Sequence, residues 1–293
     1  MSDNPYHPFN LASSESYAIW RERKLSQPTM PELITIKQPL DISSDEHQSL
    51  LRSCASHNFA HFCYKSPPKS PQTALNHLAN SLDLTEIDAN LCADEDGLTK
   101  ITVTQTATSN VYIPYTNRPL GWHTDGYYNP IARQIHAWLL YCDQPAIQGG
   151  INGLLDHEIA YIRLRDENPE WIRALMKPNA FTIPPNIEGG KEIRGAESGP
   201  VFSVLNGGTQ LHMRYSARQR NIIWKDDKAT LDAAAFLLDL FSSNDDHILH
   251  HGLTKGEGII SNNILHNRSA FTDAEDPALK RMIYRARYYN RII

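Results

Sequence analysis

Gly121-Trp122-His123-Thr124-Asp125-Gly126-Tyr127-Tyr128 is the stretch on which the reading of this chain turns. Written as extended backbone, it sends alternate side chains to opposite faces, so His123 and Asp125 point the same way with Cα atoms roughly 6.5–7 Å apart. One metal ion can bridge that gap. Gly126 then lets the chain turn away. A histidine and an aspartate two apart also occur at ordinary strand ends, so the far end of the chain has to carry part of the argument.

There, Ile264-Leu265-His266-Asn267-Arg268 places a histidine at the end of an apolar stretch. A strand-like segment follows, in which a period of two sets Arg281, Arg285 and Arg287 on one face and Met282, Tyr284 and Ala286 on the other. Arginine in a buried strand needs a partner, and an anionic ligand is one. Two histidines and one carboxylate leave positions open on a metal, the arrangement of the non-haem Fe(II) oxygenases. Those positions suit a bidentate keto acid and then O2. A second carboxylate on the keto acid calls for a cationic anchor, and the planar fork of arginine matches it.

Composition agrees with an enzyme of this size. The chain has 293 residues, 41% of them apolar, and a formal net charge of -5. That suffices for a large core and gives no basic excess for a nucleic-acid backbone. No apolar run approaches the ~20 residues a bilayer requires, so no membrane span is expected. The polar start, MSDNPYHPF, lacks the blocks of a signal peptide, and Cys54, Cys63, Cys92 and Cys142 are scattered without a CxxC. Both features point to a cytoplasmic chain with reduced thiols.

Helices are expected over Glu15 to Leu25, from a Ser43 or Ser44 cap to Ala55, and over Gln72 to Leu82, Leu154 to Leu164, Pro169 to Met176 and Ala229 to Phe241. Strands are expected at Leu33 to Ile36, Phe59 to Tyr64, Lys100 to Gln105, Ile135 to Cys142, Gly258 to His266 and Lys280 to Tyr289. Residues 1–30 read as an arm and helix, and 177–200 as a long loop suited to a lid. The fold class is α+β with a mainly β core, one domain over 1–293.

The chain resembles the taurine dioxygenase and clavaminate-synthase-like Fe(II)/2-oxoglutarate oxygenases. The resemblance rests on Trp122 to Gly126, on Gly149-Gly150 with Asp156 following, on Leu265 to Arg268, and on Arg281 with Arg285. It implies a double-stranded β-helix, or jelly roll, with flanking helices. It implies that His123, Asp125 and His266 hold iron, that Arg281 binds the distal carboxylate of 2-oxoglutarate, and that Arg285 faces the substrate or co-substrate. Where the family often has threonine or serine after the glycine pair, this chain has Ile151-Asn152, so Asn152 is the residue expected to contact 2-oxoglutarate. The arginine spacing is closer to the clavaminate-synthase and carnitine-pathway branches than to the taurine enzyme. Asp125 keeps the position that halogenating members leave open, which favours hydroxylation with release of succinate and CO2.

Trp122, Tyr127, Arg214 and Arg285 are the candidate substrate contacts, and the arginines suggest a small amino-acid-like carboxylate. Self-association is left open. Alternative readings on the same ligands are a non-catalytic metal-binding jelly-roll sensor and a zinc hydrolase. Two other histidine groups, His57 with His61 and His247 with His250 and His251, read as ordinary packing and as a solvated connector. Asp156 reads as a helix cap.

Overall fold

The apolar stretches pair into two main sheets. A computed structural model describes residues 7–88, 97–103, 113–218 and 222–293. Its six-stranded sheet runs Ile34–Ile36, Phe59–Tyr64, Glu257–Ser261, Ala137–Gln144, Met282–Tyr288, Thr99–Ile101. The first pair is parallel and the others are antiparallel. A four-stranded sheet runs Leu249–His251, Asn152–Leu155, Leu265–Arg268, Leu120–His123. The chain divides into two compact units: 1–28, 122–134 and 155–248 form one, and 29–121, 135–154 and 249–293 the other. Sequence periodicity reports local faces and carries no record of which distant stretches pack together.

In the second unit the strand Ala137–Gln144 is apolar on both faces because both are covered. Leu139 and Tyr141 join Leu50 and Cys54 of helix Ser44–His57 and Leu75 and Leu78 of helix Pro71–Ser81 in one core cluster. Trp138 and Cys142 join Phe59, Ile259, Ile283 and Leu154 in another, so the two sheets face each other across it. Each such side chain contributes about 1.5–3 kcal/mol by burial. Helix Ser44–His57 starts at a full capping box, Ser43 accepting from the Glu46 N–H and Glu46 accepting from the Ser43 N–H. The predicted alternation in the closing strand holds: Tyr284, Ala286 and Tyr288 enter the helix-side cluster and Ile283 the inter-sheet one.

Three expectations change. Gly258 to His266 is two strands, because Ser261-Asn262-Asn263 makes a turn with Asn263 at φ 56°, a conformation asparagine tolerates. The Asn263 amide donates to the Ile135 carbonyl at 2.6 Å and holds that turn. Leu154 and Leu155 end the strand Asn152–Leu155, and the helix His157–Glu167 begins only after Asp156, whose carboxylate accepts from the Glu158 N–H. The stretch 177–200 is largely ordered β-structure, with strands Phe181–Ile183 and Glu197–Gly199 in one sheet and a hairpin of Asn186–Glu188 and Lys191–Arg194 turning at Gly189-Gly190. The expected strand Lys100 to Gln105 is seen as Thr99–Ile101, and its last two residues lie outside the described ones. No helix among the described residues is long and apolar enough to cross a membrane.

In the first unit, the helix Ser14–Leu25 is anchored by charge. Tyr17 and Arg21 both donate to Asp166, each at 2.7 Å. Lys24, only 6% exposed, places its ammonium 2.5 Å from Asp156 and 2.6 Å from Glu158. The described part of the arm is irregular yet packed, with Phe9 buried against Trp20 and Tyr161.

Removing the Lys24 charge leaves two carboxylates buried without it, so Lys24→Met is expected to lower the unfolding free energy by about 3–5 kcal/mol in urea titration. Burial pushes the Asp156 carboxyl up, but Lys24, together with His157 and the Glu158 N–H, more than offsets this and holds it below its ordinary value. A carboxyl held low in the folded state contributes stability above the ordinary carboxylate range and loses it as pH falls through that range. The wild-type urea midpoint should therefore drop more steeply than that of Lys24→Met between roughly pH 5 and pH 3.

Candidate active site

The segment around His123 keeps its extended form because a neighbouring stretch of the first unit clamps it. The Thr124 N–H donates to the Tyr215 carbonyl at 3.0 Å, the Thr124 hydroxyl accepts from the Tyr215 N–H at 3.0 Å, and the Ala217 N–H donates to the Trp122 carbonyl at 2.7 Å. Extended backbone through residue 124 sends His123 and Asp125 to one side. Both are buried, with His123 Nε2 3.7 Å from Asp125 Oδ1. Gly126 then turns at φ 65°, and its carbonyl accepts from the Asn129 N–H at 2.8 Å. Tyr127 stands edge-on to the His123 ring at 6.4 Å, and burial pushes its phenol pKa up. Trp122 points the other way and stacks on Phe241 at 5.3 Å. It is a packing residue in this geometry.

Arg214 does not match the substrate contact expected of it. Its guanidinium donates to the carbonyls of Tyr127 at 2.7 Å, Phe181 at 3.0 Å and Glu197 at 2.8 Å. Burial pushes its pKa down to about 10. Facing backbone on three sides, it braces the turn after Asp125.

In the second unit, His266 lies on the strand Leu265–Arg268. Its ring is buried 4.8 Å from that of Trp138, with Nδ1 3.1 Å from the Ile264 carbonyl oxygen. A hydrogen bond from Nδ1–H leaves the lone pair on Nε2, the tautomer a metal ligand requires. Arg268, two residues on, donates to the carbonyls of Pro114, Thr116 and Arg118 at 3.2, 2.8 and 2.5 Å. Arg287 is answered by the Asp88 carboxylate, which also accepts from Tyr289.

Arg281 differs from all three. It is 7% exposed, lies over the Phe271 ring at 5.0 Å, and among the described residues has no carboxylate within ion-pair distance. Burial pushes its pKa below the ordinary value. Gly149 and Gly150 bring the chain in beside it at φ 78° and 70°. A Cβ on Gly150 would stand 3.3 Å from the Arg281 Nε, and one on Gly149 only 2.2 Å from the Ala270 carbonyl oxygen. The glycine pair and the arginine, singled out separately in sequence, form one wall. Arg285 is half-buried, and its Nε has no hydrogen-bond partner among the described residues. Asn152 is buried, its amide 3.5 Å from the His251 carbonyl oxygen. Sequence reasoning missed Asn267, whose side chain accepts from the Gly153 N–H at 2.7 Å and ties the strand of His266 to the strand of Asn152. Its signal was present, since polar Asn267 sits between the two residues already singled out.

Comparison with known proteins places the chain in a family. The family model described as "Taurine catabolism dioxygenase TauD, TfdA family" matches residues 23–287. A uridine-5'-phosphate dioxygenase of Streptomyces sp is 31% identical over 205 residues, 68% of this chain and 72% of the relative. One of Amycolatopsis sp is 30% identical over 57% of this chain and 60% of its own length. Among solved structures, an asparagine oxygenase with Fe(II), hydroxyasparagine and succinate superposes with TM-score 0.56 at 13% identity, covering 85% of each chain. The non-haem iron oxygenase OrfP, with Fe, succinate and a dihydroxyarginine, gives 0.62 at 15% identity over 84% of this chain and 81% of that one. At such identities the structures speak to the fold alone, a mixed helix and antiparallel-sheet architecture.

The bracing role of Arg214 can be measured directly. Arg214→Ala leaves three carbonyls, one of them fully buried, without their guanidinium donor and is expected to cost on the order of 3 kcal/mol of stability by urea denaturation. A change confined to substrate KM, with the denaturation midpoint unmoved, would contradict that role.

Proposed function

The chain belongs to the taurine catabolism dioxygenase TauD, TfdA family, and we propose from that premise that His123, Asp125 and His266 hold a ferrous ion. The chain is an oxidoreductase that uses Fe(II), 2-oxoglutarate and O2. Two imidazoles and one carboxylate suit iron, and the Nδ1 contact of His266 favours the ligating tautomer. Iron, when bound, supplies O2 activation coupled to oxidative decarboxylation of 2-oxoglutarate, giving succinate, CO2 and a hydroxylated product.

The observation that carries the reading is Arg281, a buried guanidinium with no carboxylate of the described chain to answer it. A diacid co-substrate supplies that answer, its distal carboxylate meeting the planar fork beside Gly150 and Phe271. The glycine pair leaves room for this. Asn152 is the nearby amide assigned to the same co-substrate, and Tyr127 fixes the orientation of the His123 ring. The two facing sheets are read as the walls of a double-stranded β-helix. The stretch 181–199, with its exposed Ile187 and Ile193, is the candidate cover over the site. The free thiols of Cys54, Cys63 and Cys142 fit a cytoplasmic enzyme. The negative net charge argues against a nucleic-acid partner, and self-association belongs to the same proposal as an untested option.

The substrate is a small anion. Arg285, with its unmatched Nε, is the residue assigned to it, and an amino-acid-like carboxylate is the first reading. Two curated relatives that carry the name uridine-5'-phosphate dioxygenase favour a second, a nucleoside monophosphate. The family match supports neither a non-catalytic sensor nor a zinc hydrolase.

Anaerobic addition of 2-oxoglutarate to the Fe(II)-loaded chain is expected to produce a weak visible charge-transfer band, and Asp125→Ala or His266→Ala is expected to remove it. Arg281→Ala should raise the KM for 2-oxoglutarate by roughly 30-fold or more, the equivalent of about 2 kcal/mol. Succinate release screened against amino acids and nucleoside monophosphates separates the two substrate readings. If Arg281→Ala left that KM unchanged, the co-substrate pocket would have to lie elsewhere.

A further inference from the structure

His61 and His251 belong to the two histidine groups that sequence alone assigns to packing and to a solvated connector, yet in the second unit they meet at one carboxylate. His61 lies on Phe59–Tyr64 and His251 ends Leu249–His251, while Glu257 opens Glu257–Ser261. His61 pairs with Ile259, so Glu257, two residues earlier, projects to the same face of the six-stranded sheet. The ligating atoms of all three lie within 4.8 Å of one another. His251 Nε2 is 3.2 Å and His61 Nε2 3.8 Å from the same oxygen, Glu257 Oε2. The two imidazoles stand edge to face at 4.7 Å. A tetrahedral ion with bonds of about 2.0–2.1 Å spaces its ligand atoms by roughly 3.4 Å, inside the range seen here.

His61 makes the arrangement more than a surface cluster. It is 3% exposed, and neither ring nitrogen makes a hydrogen bond among the described residues. At 3.8 Å the carboxylate is too far for one. Ile259 opposite and Phe59 beside it on that face offer no polar atom from their side chains. Glu257 Oε2 already accepts from the Thr254 N–H at 2.9 Å and stands at hydrogen-bond distance from His251. A buried imidazole with neither nitrogen satisfied is destabilising, and a shared cation removes that cost.

We propose that His61, His251 and Glu257 form a second divalent-metal site, made of residues separate from the proposed iron ligands and best matched to Zn2+. Two imidazoles and one carboxylate form a borderline donor set, with one position left for water. A single carboxylate is too little oxygen for Ca2+ or Mg2+. His251 comes from the four-stranded sheet and the other two from the six-stranded one, so a bound ion would cross-link the sheets.

The test uses the full chain carrying His123→Ala and Asp125→Ala, which disables the proposed iron site, stripped with chelator and titrated with Zn2+ by calorimetry. One equivalent is expected to bind and to raise the thermal midpoint. Co2+ in its place should give the intense visible absorption of a tetrahedral complex. Adding Glu257→Gln or His251→Asn, both at partly exposed positions, should weaken Zn2+ at least tenfold. Circular dichroism of the metal-free forms checks that these variants still fold. No stoichiometric Zn2+ uptake, or the same affinity in both added variants, overturns the proposal. Neither result depends on the iron reading, which is tested by Fe(II) and 2-oxoglutarate in the wild-type chain.

Discussion

A guanidinium taken out of water has to be met by acceptors, and much of this structure can be read from how its buried arginines satisfy that demand. Arg287 meets the Asp88 carboxylate. Arg268 meets the carbonyls of Pro114, Thr116 and Arg118, which fastens that stretch to the strand of His266. Arg214 meets those of Tyr127, Phe181 and Glu197. Each is a bolt between segments distant in sequence. Arg281 carries the same charge at similar burial, with Phe271 below it and a glycine beside it. Among the described residues no carboxylate stands within ion-pair distance of it.

The same logic orders the histidines. His123 and Asp125 share a side because the backbone bonds to Tyr215 and Ala217 keep residues 122–124 extended. A single slip of register would exchange His123 with Trp122 and send the imidazole into the contact that Phe241 now fills. His266 is oriented through its Nδ1 by a carbonyl two residues back in its own chain. These are backbone devices, so the placement of these side chains depends on local conformation more than on neighbouring side chains.

Of the fold, the short-range features were legible. The Ser43 cap, the Asp156 cap, the strand Phe59–Tyr64 and the two faces of Met282–Tyr288 follow from residue type and period. The errors sit where a polar turn hides inside an apolar run, as at Asn263, or where glycine and glutamate suggest a loop but alternation builds strands, as in 181–199. The backbone contacts of Arg214 were hidden for another reason. A charge pattern tells that a cation is present, not whether backbone carbonyls have already surrounded it.

What the sequence determined by itself was the chemistry on offer: an imidazole and a carboxylate two apart, a second imidazole near the end, and arginines at strand spacing. These are covalent facts with fixed periodicities. What only the tertiary structure decided was which polar groups are answered and by whom. It left Arg281 apart from the other buried arginines and brought His61 to His251 and Glu257 across 190 to 196 residues of chain. Such partnerships depend on long-range packing and on burial, which raises the cost of every polar group left unmatched, and neither is encoded in the spacing of neighbours.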